Sequence, residues 1–566
     1  MRLLTPRAFF RPALLLGIAI GVTTAAAPVM ATAAAPRSSV VVHPVTDVGT
    51  ASQVSAPTTS AARVAGALER GVRRPHAVSQ AAAARAGVSN APTASSNDQN
   101  GDQSGNGSSR RLLRHFNGVS SLDSEVTNFG AKFEPPDTAL CEGNGFVLEP
   151  VNSAYTIYRT NGTPIAGPFN VNDLFHRGGL QFTSDPRCYY DPTTNTWFAT
   201  ILFIADDNAS STIDISVNRT GDPTTAWTTY SIDTTDAANT ANGCPCFGDQ
   251  PRLGIDAFNL YLSTDEFSIL GPQFDGAQLY AVAKRDLVGL KSRIHFAHFA
   301  NPTIDGNSLI AIVPAITNGS ADAEYFLNAL DLNLDGSTVS RIGVWAMTNR
   351  DEVGRGDAPT LSSVVIDSEG YAVPPSAIQK GSSHPLDSGD DRMQQTQFIN
   401  GTIWGELTTA LRLPGDSTVR AAAAWFNVKP VLGEEEELAS ATMTRQGYVG
   451  VRGNYVIYPA LQADKSGNAA MVVTISGAQR YPSAAYAVMV SGRSAFGAVT
   501  VAAAGTGPYR PKPKQFGRWG DYSWAQLDPA TDTFWLAAEY VPPLASQTTD
   551  HLRNWGTEVL QVKVSD

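Results

Sequence analysis

The chain has few charged residues, few cysteines and, after its N-terminus, no long apolar segment. Lys, Arg, Asp and Glu make up 16% of its 566 residues, well below the roughly one quarter that is usual in soluble domains. The net charge is -11, which argues against nucleic acid as a partner because phosphate binding needs basic clusters. Since no later apolar run reaches the length of a membrane span, the mature chain is expected to have no stable span.

Several catalytic motifs are also missing. The sequence has no Gly-x-Ser-x-Gly, no His-Glu-x-x-His and no P-loop, which argues against serine hydrolases, zinc proteases and nucleotide hydrolases of the common types. Its eight histidines are scattered without a metal-ligand spacing. No cofactor is predicted, and whether the protein is an enzyme stays open at this point.

The N-terminus has the pattern of a secretory signal. Arg2, Arg7 and Arg11 form a basic start, "ALLLGIAIGV" follows as a short apolar segment, and "ATAAA" fits a cleavage site. We therefore predict a signal peptide over residues 1–35 and a secreted, extracellular protein, with a retained membrane anchor as the alternative.

Residues 36–110 are rich in Ala, Ser, Thr, Pro, Asn and Gly. The stretch "SNAPTASSNDQNGDQSGNGSS" contains almost no side chain that a core could bury, so this segment is predicted to be a disordered, low-complexity linker. The folded domain is expected to cover residues 111–566.

The four cysteines suit an exported protein in an oxidising compartment. Three disulfide pairings are possible for four cysteines. The "CPC" tripeptide is too tight for an easy internal bridge, so pairs between distant cysteines are favoured. Zinc is the alternative, although the spacing fits zinc poorly. The predicted disulfide cysteines are Cys141, Cys188, Cys244 and Cys246.

From about Leu112 onward, short runs of β-branched and aromatic residues alternate with turn residues, which predicts an all-β domain. A polar motif recurs in this region, as in "SDPRCYYD", "GDQPRLGID" and "GDYSWAQLD". In each copy an Asp is followed six or seven residues later by a second Asp, with an apolar strand between them. A turn and an aromatic strand then follow, as in "DPTTNTWFATI" and "DPATDTFWLAAEY".

Such units cannot bury both faces alone, so stacking around an axis is expected. Units that begin near residues 137, 185, 249, 306, 390, 453 and 517 predict a seven-bladed β-propeller, with six or eight blades or a β-sandwich pair as alternatives. The last strand, "EVLQVKV", is predicted to pair with residues 112–120 and close the ring.

Five motifs in one order resemble a family of secreted bacterial β-propeller proteins that are sialidase-like in shape and mostly without assigned activity. They are "EPPDTALCEGNGFVLEPVNSAYTIY", "SDPRCYYDPTTNTWFATILF", "GDQPRLGIDAFNLYLS", "DKSGNAAMVVTISG" and "RWGDYSWAQLDPATDTFWLAAEYV". The resemblance implies the fold and export more than a chemistry. The Asp-box of true sialidases (Ser-x-Asp-x-Gly-x-x-Trp) is absent.

In a propeller, the residues that start each first strand lie at the channel mouth, where ligands usually bind. Arg side chains there could hold a carboxylate, and carboxyl groups could act as acid and base. Tyr522 and Glu539 could form a nucleophile and base pair. The predicted ligand-binding residues are Asp137, Asp185, Arg187, Asp249, Arg252, Arg518, Asp521, Tyr522 and Glu539.

The alternative interpretation is structural, because repeated polar residues usually support a scaffold whereas catalytic residues are singular. Arg187 and Arg252 are also expected on opposite strand faces, at offsets of two and three from their Asp. A ring of carboxylates could instead hold structural Ca²⁺. We therefore predict a propeller that binds an extracellular glycan or protein at its channel mouth, with a sialidase-like glycoside hydrolase as the alternative.

Overall fold

The computed structural model describes residues 40–54, 91–94, 102–103, 112–239, 243–332, 334, 336–512 and 517–564. The predicted signal peptide and most of the predicted linker lie outside these residues. The described chain is mostly β-strand, as the alternation of apolar runs and turn residues predicts.

Most of its strands follow one another in groups of four antiparallel neighbours. Four strands precede the first complete group: β1 (Val41–His43), β2 (Asp47–Gln53), β3 (Asp102–Gln103) and β4 (Leu112–Ser120). Group 1 consists of β5 (Cys141–Gly143), β6 (Phe146–Pro150), β7 (Ala154–Arg159) and β8 (Pro164–Asn170). Group 2 consists of β9 (Phe182–Asp191), β10 (Thr196–Ile204), β11 (Ser211–Asn218) and β12 (Thr228–Asp233).

The next two groups are separated by a short hairpin. Group 3 consists of β13 (Cys246–Ile255), β14 (Asn259–Ser268), β15 (Phe274–Ala283) and β16 (Arg293–Ala300). The hairpin is formed by β17 (Thr303–Ile304) and β18 (Asn307–Ser308). Group 4 consists of β19 (Val313–Asn318), β20 (Glu324–Ala329), β21 (Val339–Thr348) and β22 (Thr360–Tyr371).

Three further groups complete the described chain. Group 5 consists of β23 (Met393–Ile399), β24 (Thr402–Leu411), β25 (Arg420–Leu432) and β26 (Leu438–Val449). Group 6 consists of β27 (Asn454–Ala463), β28 (Ala469–Gly477), β29 (Arg480–Met489) and β30 (Val499–Ala503). Group 7 consists of β31 (Trp524–Asp528), β32 (Thr533–Tyr540), β33 (Gly556–Val562) and the early strand β4.

The first strands of neighbouring groups run side by side. Strand β19 pairs in parallel with β13 and with β23, so the first strands of groups 3, 4 and 5 lie next to one another. These strands are buried along most of their length, as are the second strands β10 and β14. Strands that are covered on both faces read as continuous apolar runs rather than alternating ones, which explains sequences such as "TWFATILFI".

The seventh group is closed by a strand from the other end of the domain. Strand β33 pairs antiparallel with β4, with Val559 opposite Phe116 and Leu560 opposite His115. The predicted pairing of "EVLQVKV" with residues 112–120 is therefore confirmed.

The prediction of a disordered linker is wrong for the part of residues 36–110 that forms strands. Strand β1 adds to the outer edge of β22, and β2 lies between β12 and β16. An edge strand offers unpaired N–H and C=O groups to any neighbouring extended chain. Backbone pairing therefore orders these segments, although Ala51 is the only residue of β2 that is fully buried.

Helices are short. They are α1 (Ser121–Thr127), α2 (Val171–Leu174), α3 (Lys284–Val288) and two 3₁₀ turns, Arg350–Arg355 and Leu544–Ser546. Helix α1 begins with a capping box, in which Ser120 and Asp123 bond to each other's backbone N–H. Within the described residues, none of these helices has the length and apolar character that crossing a membrane requires.

Both disulfides are formed, and one of them corrects the sequence prediction. Cys141 of β5 is bonded to Cys188 of β9, with the Cα atoms 5.6 Å apart. The second bond joins Cys244 to Cys246 within the "CPC" tripeptide, which had been expected to be too tight. The turn around Pro245 brings the two Cα atoms to 4.4 Å, which lies within the range that disulfides span. With all four thiols oxidised, zinc coordination by them is excluded.

Candidate functional site

The recurring polar motif contains a β-bulge near the start of the first strand. The register of β9 skips between Ser184 and Arg187, that of β13 between Asp249 and Arg252, and that of β27 between Ile457 and Ala460. A positive-φ residue followed by Pro occupies each bulge: Asp185, Gln250 and Tyr458, with φ of 61°, 47° and 50°. The bulge accounts for the Pro in these three strands.

This bulge corrects the predicted alignment of the repeats. Arg187 pairs with Thr200 and Arg252 with Ser263, and each lies two rungs beyond the residue that precedes its bulge. The two Arg residues are therefore equivalent, and the expectation that they point to opposite strand faces is wrong. Asp185 is therefore equivalent to Gln250. The predicted alignment matched it to Asp249 instead, because it superimposed the first Asp of two motifs whose Asp residues are six and seven positions apart.

The second Asp of each motif is a turn residue. The Oδ1 atoms of Asp191, Asp256, Asp464 and Asp528 each accept a hydrogen bond from the backbone N–H two residues later, over 2.9, 2.7, 2.8 and 2.9 Å. These are Asx turns, and they begin the hairpin that joins the first and second strands. This half of the repeat is explained by local backbone chemistry.

Three of the predicted ligand-binding carboxylates come together from groups 1, 2 and 7. One carboxylate oxygen from each of Asp137, Asp185 and Asp521 lies within 4.8 Å of the others; we call these residues the acidic cluster. The N–H of Asp521 donates to Oδ1 of Asp137 over 2.7 Å. Asn152 links the other two, since its Nδ2 donates to Asp137 over 2.7 Å and its Oδ1 accepts from the N–H of Asp185 over 2.6 Å.

The three predicted Arg residues do not converge on one ligand position. Arg518 donates to both oxygens of Asp521, over 3.0 and 2.8 Å. The guanidinium of Arg187 lies 3.2 Å from the centre of the Tyr522 ring, and its Nε donates to the carbonyl of Pro251 over 3.3 Å. Burial lowers the pKa of Arg187.

Arg252 belongs to a separate buried network in group 3. Its Nη2 donates to Asp265 over 2.8 Å and to Gln250 over 3.0 Å. Arg392, which precedes β23, donates to the same oxygen of Asp265 over 3.1 Å. Asp249 precedes this bulge and pairs in register with Asp265. The network ties groups 3 and 5 together through charge-assisted hydrogen bonds.

Tyr522 and Glu539 do not form the predicted nucleophile and base pair. The Tyr522 hydroxyl donates to the carbonyl of Pro186 over 2.9 Å, and burial raises its pKa well above the usual value. Oε2 of Glu539 accepts from the N–H of Gly520 over 2.6 Å, and burial raises the pKa of Glu539 well above its ordinary value. Apart from Arg518, the predicted ligand residues are between 0% and 4% exposed.

A cavity of about 500 Å³ lies at the opposite end of the same first strands. It is formed where the hairpins of groups 1, 2 and 7 meet, and we call it the hairpin groove. The lining residues used below are Arg114, Glu142, Tyr189, Tyr190, Asp528 and Trp535.

Glu142 is the distinctive residue of this groove. Its backbone N–H donates to Gln526 over 3.0 Å and its carbonyl accepts from the Gln526 amide over 2.9 Å, which fixes β5 against β31. Among the described residues no hydrogen bond holds its carboxyl group. Burial and, to a lesser degree, the Asp528 carboxylate raise the pKa of Glu142 to about 8. At neutral pH this carboxyl is therefore mostly protonated and faces the cavity.

Sequence analysis did not nominate Glu142. The available signal was its position directly after Cys141, between buried residues of a first strand, where a Glu is rarely buried unless its carboxyl group is paired.

No protein-family model matches the chain, and no curated protein has a significant sequence match. The structure is similar to several solved glycosidases. The alpha-L-arabinanase of Penicillium chrysogenum is 12% identical, with 80% of this chain and 98% of that chain covered and a TM-score of 0.32. A Hadza microbial sialidase is 10% identical, with 74% and 73% covered and a TM-score of 0.36. The sialidase of Trypanosoma rangeli is 9% identical, with 75% and 58% covered and a TM-score of 0.33. At these TM-scores the similarities carry no conclusion about substrate or activity.

Proposed function

We propose that the chain is a secreted, seven-bladed β-propeller that binds an extracellular glycan in the hairpin groove. Each four-stranded group would be one blade, and the pairing of β33 with β4 would close the ring. Two disulfides among the described residues support a role in an oxidising compartment.

The observation that carries the proposal is the carboxyl group of Glu142. A protonated carboxyl both donates and accepts hydrogen bonds, which suits the hydroxyl groups of a sugar. Tyr190 and Trp535 contribute aromatic surface to the same cavity. A volume of about 500 Å³ lies within the range of small-ligand sites, which combine apolar walls with a few polar groups.

For the predicted channel-mouth residues we propose a scaffold role. The carboxylate of Asp137 already accepts hydrogen bonds from Asn152 and from the N–H of Asp521. The carboxylate of Asp521 is paired with Arg518. Their burial leaves little surface for a glycan.

Glycoside hydrolysis is a second candidate, favoured by the raised pKa of Glu142 beside Asp528. In this reaction Glu142 would give its proton to the glycosidic oxygen as the C–O bond breaks. Asp528 would take a proton from the attacking water. Because Asp528 also holds an Asx turn, binding is the primary proposal.

A glycan screen of the mature protein tests both proposals if it scores bound glycan and released sugar separately. Glu142→Leu removes the hydrogen-bonding carboxyl and should weaken binding about tenfold, the equivalent of about 1.4 kcal/mol. Glu142→Gln keeps a donor and an acceptor, so binding should change by less than about threefold, whereas any hydrolysis should stop.

The matched control is Glu435→Gln, in an exposed loop of group 5, which should leave both readouts unchanged. Glycan binding that Glu142→Leu does not alter would contradict the groove as the site.

A further inference from the structure

The wall of the hairpin groove carries two carboxyl groups from different parts of the chain. Glu142 comes from β5 of group 1 and is 8% exposed, and Asp528 comes from the hairpin that joins β31 to β32 in group 7. Among the described residues neither group forms an ion pair. Burial and then the Asp528 carboxylate raise the pKa of Glu142, which is how a carboxyl group responds when an acidic neighbour is present and a cation is not.

The one basic side chain among the described lining residues is directed elsewhere. Nη1 of Arg114 donates to the carbonyl of Thr160 over 3.0 Å, and Arg114 is exposed. No basic group contributes to the pKa of Glu142. Besides the two carboxyl groups and Arg114, the titratable side chains that line the groove are those of Tyr189 and Tyr190. The groove thus offers a ligand two acidic groups with no cation between them.

A fixed aromatic wall lies beside Glu142. The ring of Tyr190 covers Gly143, the next residue along β5, so closely that a Cβ atom on Gly143 would overlap it. The Tyr190 hydroxyl donates to Asn195 over 2.8 Å, and its ring centre lies 4.7 Å from that of Trp197. Since aromatic faces attract both the apolar side of a sugar ring and a positive charge, this wall suits an organic cation.

A metal ion suits the groove less well than an ammonium group. Oδ1 of Asp528 accepts from the N–H of Ala530 over 2.9 Å, and Oδ2 accepts from the hydroxyl of Thr531 over 2.5 Å. Ca²⁺ needs about six or more oxygen ligands, and Mg²⁺ needs a near-ideal octahedron. An ammonium group has only three hydrogen atoms to donate, and two carboxyl groups provide for most of them.

We propose that the hairpin groove binds an unacetylated amino sugar, whose ammonium group lies between the carboxyl groups of Glu142 and Asp528. The inference rests on the proposed glycan-binding role and narrows the glycan to one with free amino groups. Glu142 gives its proton to water as the ammonium group binds, so a cation takes the place of a proton. A neutral sugar cannot make this exchange, and an acidic sugar is repelled by Asp528.

The test compares two sugars on the mature native protein. Glucosamine and N-acetylglucosamine have the same ring and hydroxyl groups, but only glucosamine carries an ammonium group. At pH 7.5, calorimetry should find glucosamine bound at least about tenfold more tightly, because charge-assisted hydrogen bonds are roughly twice as strong as neutral ones. Raising NaCl from 0.05 to 0.5 M should weaken glucosamine binding by about threefold and leave the other sugar unaffected.

The exchange of a proton for a cation has its own signature. At pH 6.5, calorimetry in buffers of different ionisation enthalpy should show that about one proton is released for each glucosamine bound, because Glu142 is protonated before binding and ionised after it. N-acetylglucosamine should release none.

Variants then locate the ammonium group. Glu142→Gln removes the ionisable group but keeps a hydrogen-bond donor and acceptor. It should weaken glucosamine binding at least about tenfold and N-acetylglucosamine binding by less than about threefold. The matched control is Asp532→Asn, which removes a carboxylate of the same hairpin that lies outside the groove lining and is 40% exposed. It should change either affinity by less than about twofold.

Equal affinities of the native protein for the two sugars would overturn the inference, and so would an equal effect of Glu142→Gln on both. If a neutral glycan still bound in a manner that Glu142→Leu weakens, the proposed glycan site would stand without the amino sugar. If no glycan bound at all, both proposals would fail. Because the two sugars are compared on the native chain, the result holds even if Glu142→Gln fails to fold.

Discussion

The two ends of the first strands in groups 1, 2 and 7 are built from the same kinds of residue and behave differently. At the bulge end, Asp137 is buried and accepts hydrogen bonds from Asn152 and from the backbone N–H of Asp521. Asp521 is also buried, and its carboxylate accepts from Arg518. At the hairpin end, Glu142 has a carboxyl that no described residue holds, and it faces a cavity. The repeated residues thus contact other parts of the protein, which supports the scaffold role that we propose for them, and Glu142, which occurs once, is the residue that we propose for recognition.

The largest expected effect comes from breaking the bulge-end network of group 3. Asp265→Ala removes the carboxylate that pairs with the buried guanidinium of Arg252 and one of the partners of Arg392. The loss should cost about 4 kcal/mol of the free energy of unfolding, because an uncompensated buried charge is strongly destabilising. Urea unfolding measures it, and the exposed Asp206→Ala serves as a control with a change below about 0.5 kcal/mol. A loss below about 1 kcal/mol for Asp265→Ala would show that the bulge end is not a structural network.

An effect that is smaller per pH unit should appear in the dependence of stability on pH. The pKa of Glu142 is raised to about 8 in the folded protein, above its ordinary value of about 4.3 in an unfolded chain. Its contribution is fully present below the unfolded value and is lost as the pH rises through about 8. The native chain should lose up to about 1.4 kcal/mol per pH unit across this window relative to Glu142→Gln.

Denaturation of both chains at intervals from pH 4 to 9 gives the difference curve. Subtracting the two curves removes the contributions of Glu149 and Asp387, whose pKa values burial also raises, each to about 7. A flat difference between the two chains would show that the carboxyl of Glu142 is not desolvated.

The smallest effect is expected for a change at Asp528. Asp528 holds a hairpin turn and lies in the groove next to Glu142. Asp528→Asn keeps an acceptor for the N–H of Ala530, so the free energy of unfolding should change by less than about 1 kcal/mol. Removing the charge should lower the pKa of Glu142, which carboxyl ¹³C NMR can follow against pH. An unchanged titration midpoint for Glu142 would show that the charge of Asp528 does not affect its pKa.

The architecture was largely readable from the sequence because it depends on local signals. Alternating apolar runs mark the strands, and Asp-Pro-x-x turns mark the hairpins, as at Asp191 and Asp528. The pairing of β33 with β4 could be predicted because each terminal strand of the domain needs a neighbouring strand. These features depend on residues close in sequence or on the requirement that sheet edges be covered.

The site was less readable because it depends on single-residue shifts and distant contacts. A bulge at Asp185 adds one residue to β9, and a bulge at Gln250 adds one to β13. Without these extra residues, Arg187 and Arg252 were predicted to lie on opposite strand faces. The hairpin groove is assembled from groups that are far apart in the chain, so nothing near Glu142 in the sequence reveals the cavity.

The pairing of β33 with β4 also sets an order of events during biogenesis. Strand β4 is made before group 1, but its partner is nearly the last segment of the described chain to be synthesised. Until then, β4 and the open side of β32 remain unpaired edges, and contacts between distant segments form slowly. An exported chain would complete its fold only after its C-terminal segment had crossed the membrane. A truncated product that lacks residues 556–562 would leave two edges open to aggregation.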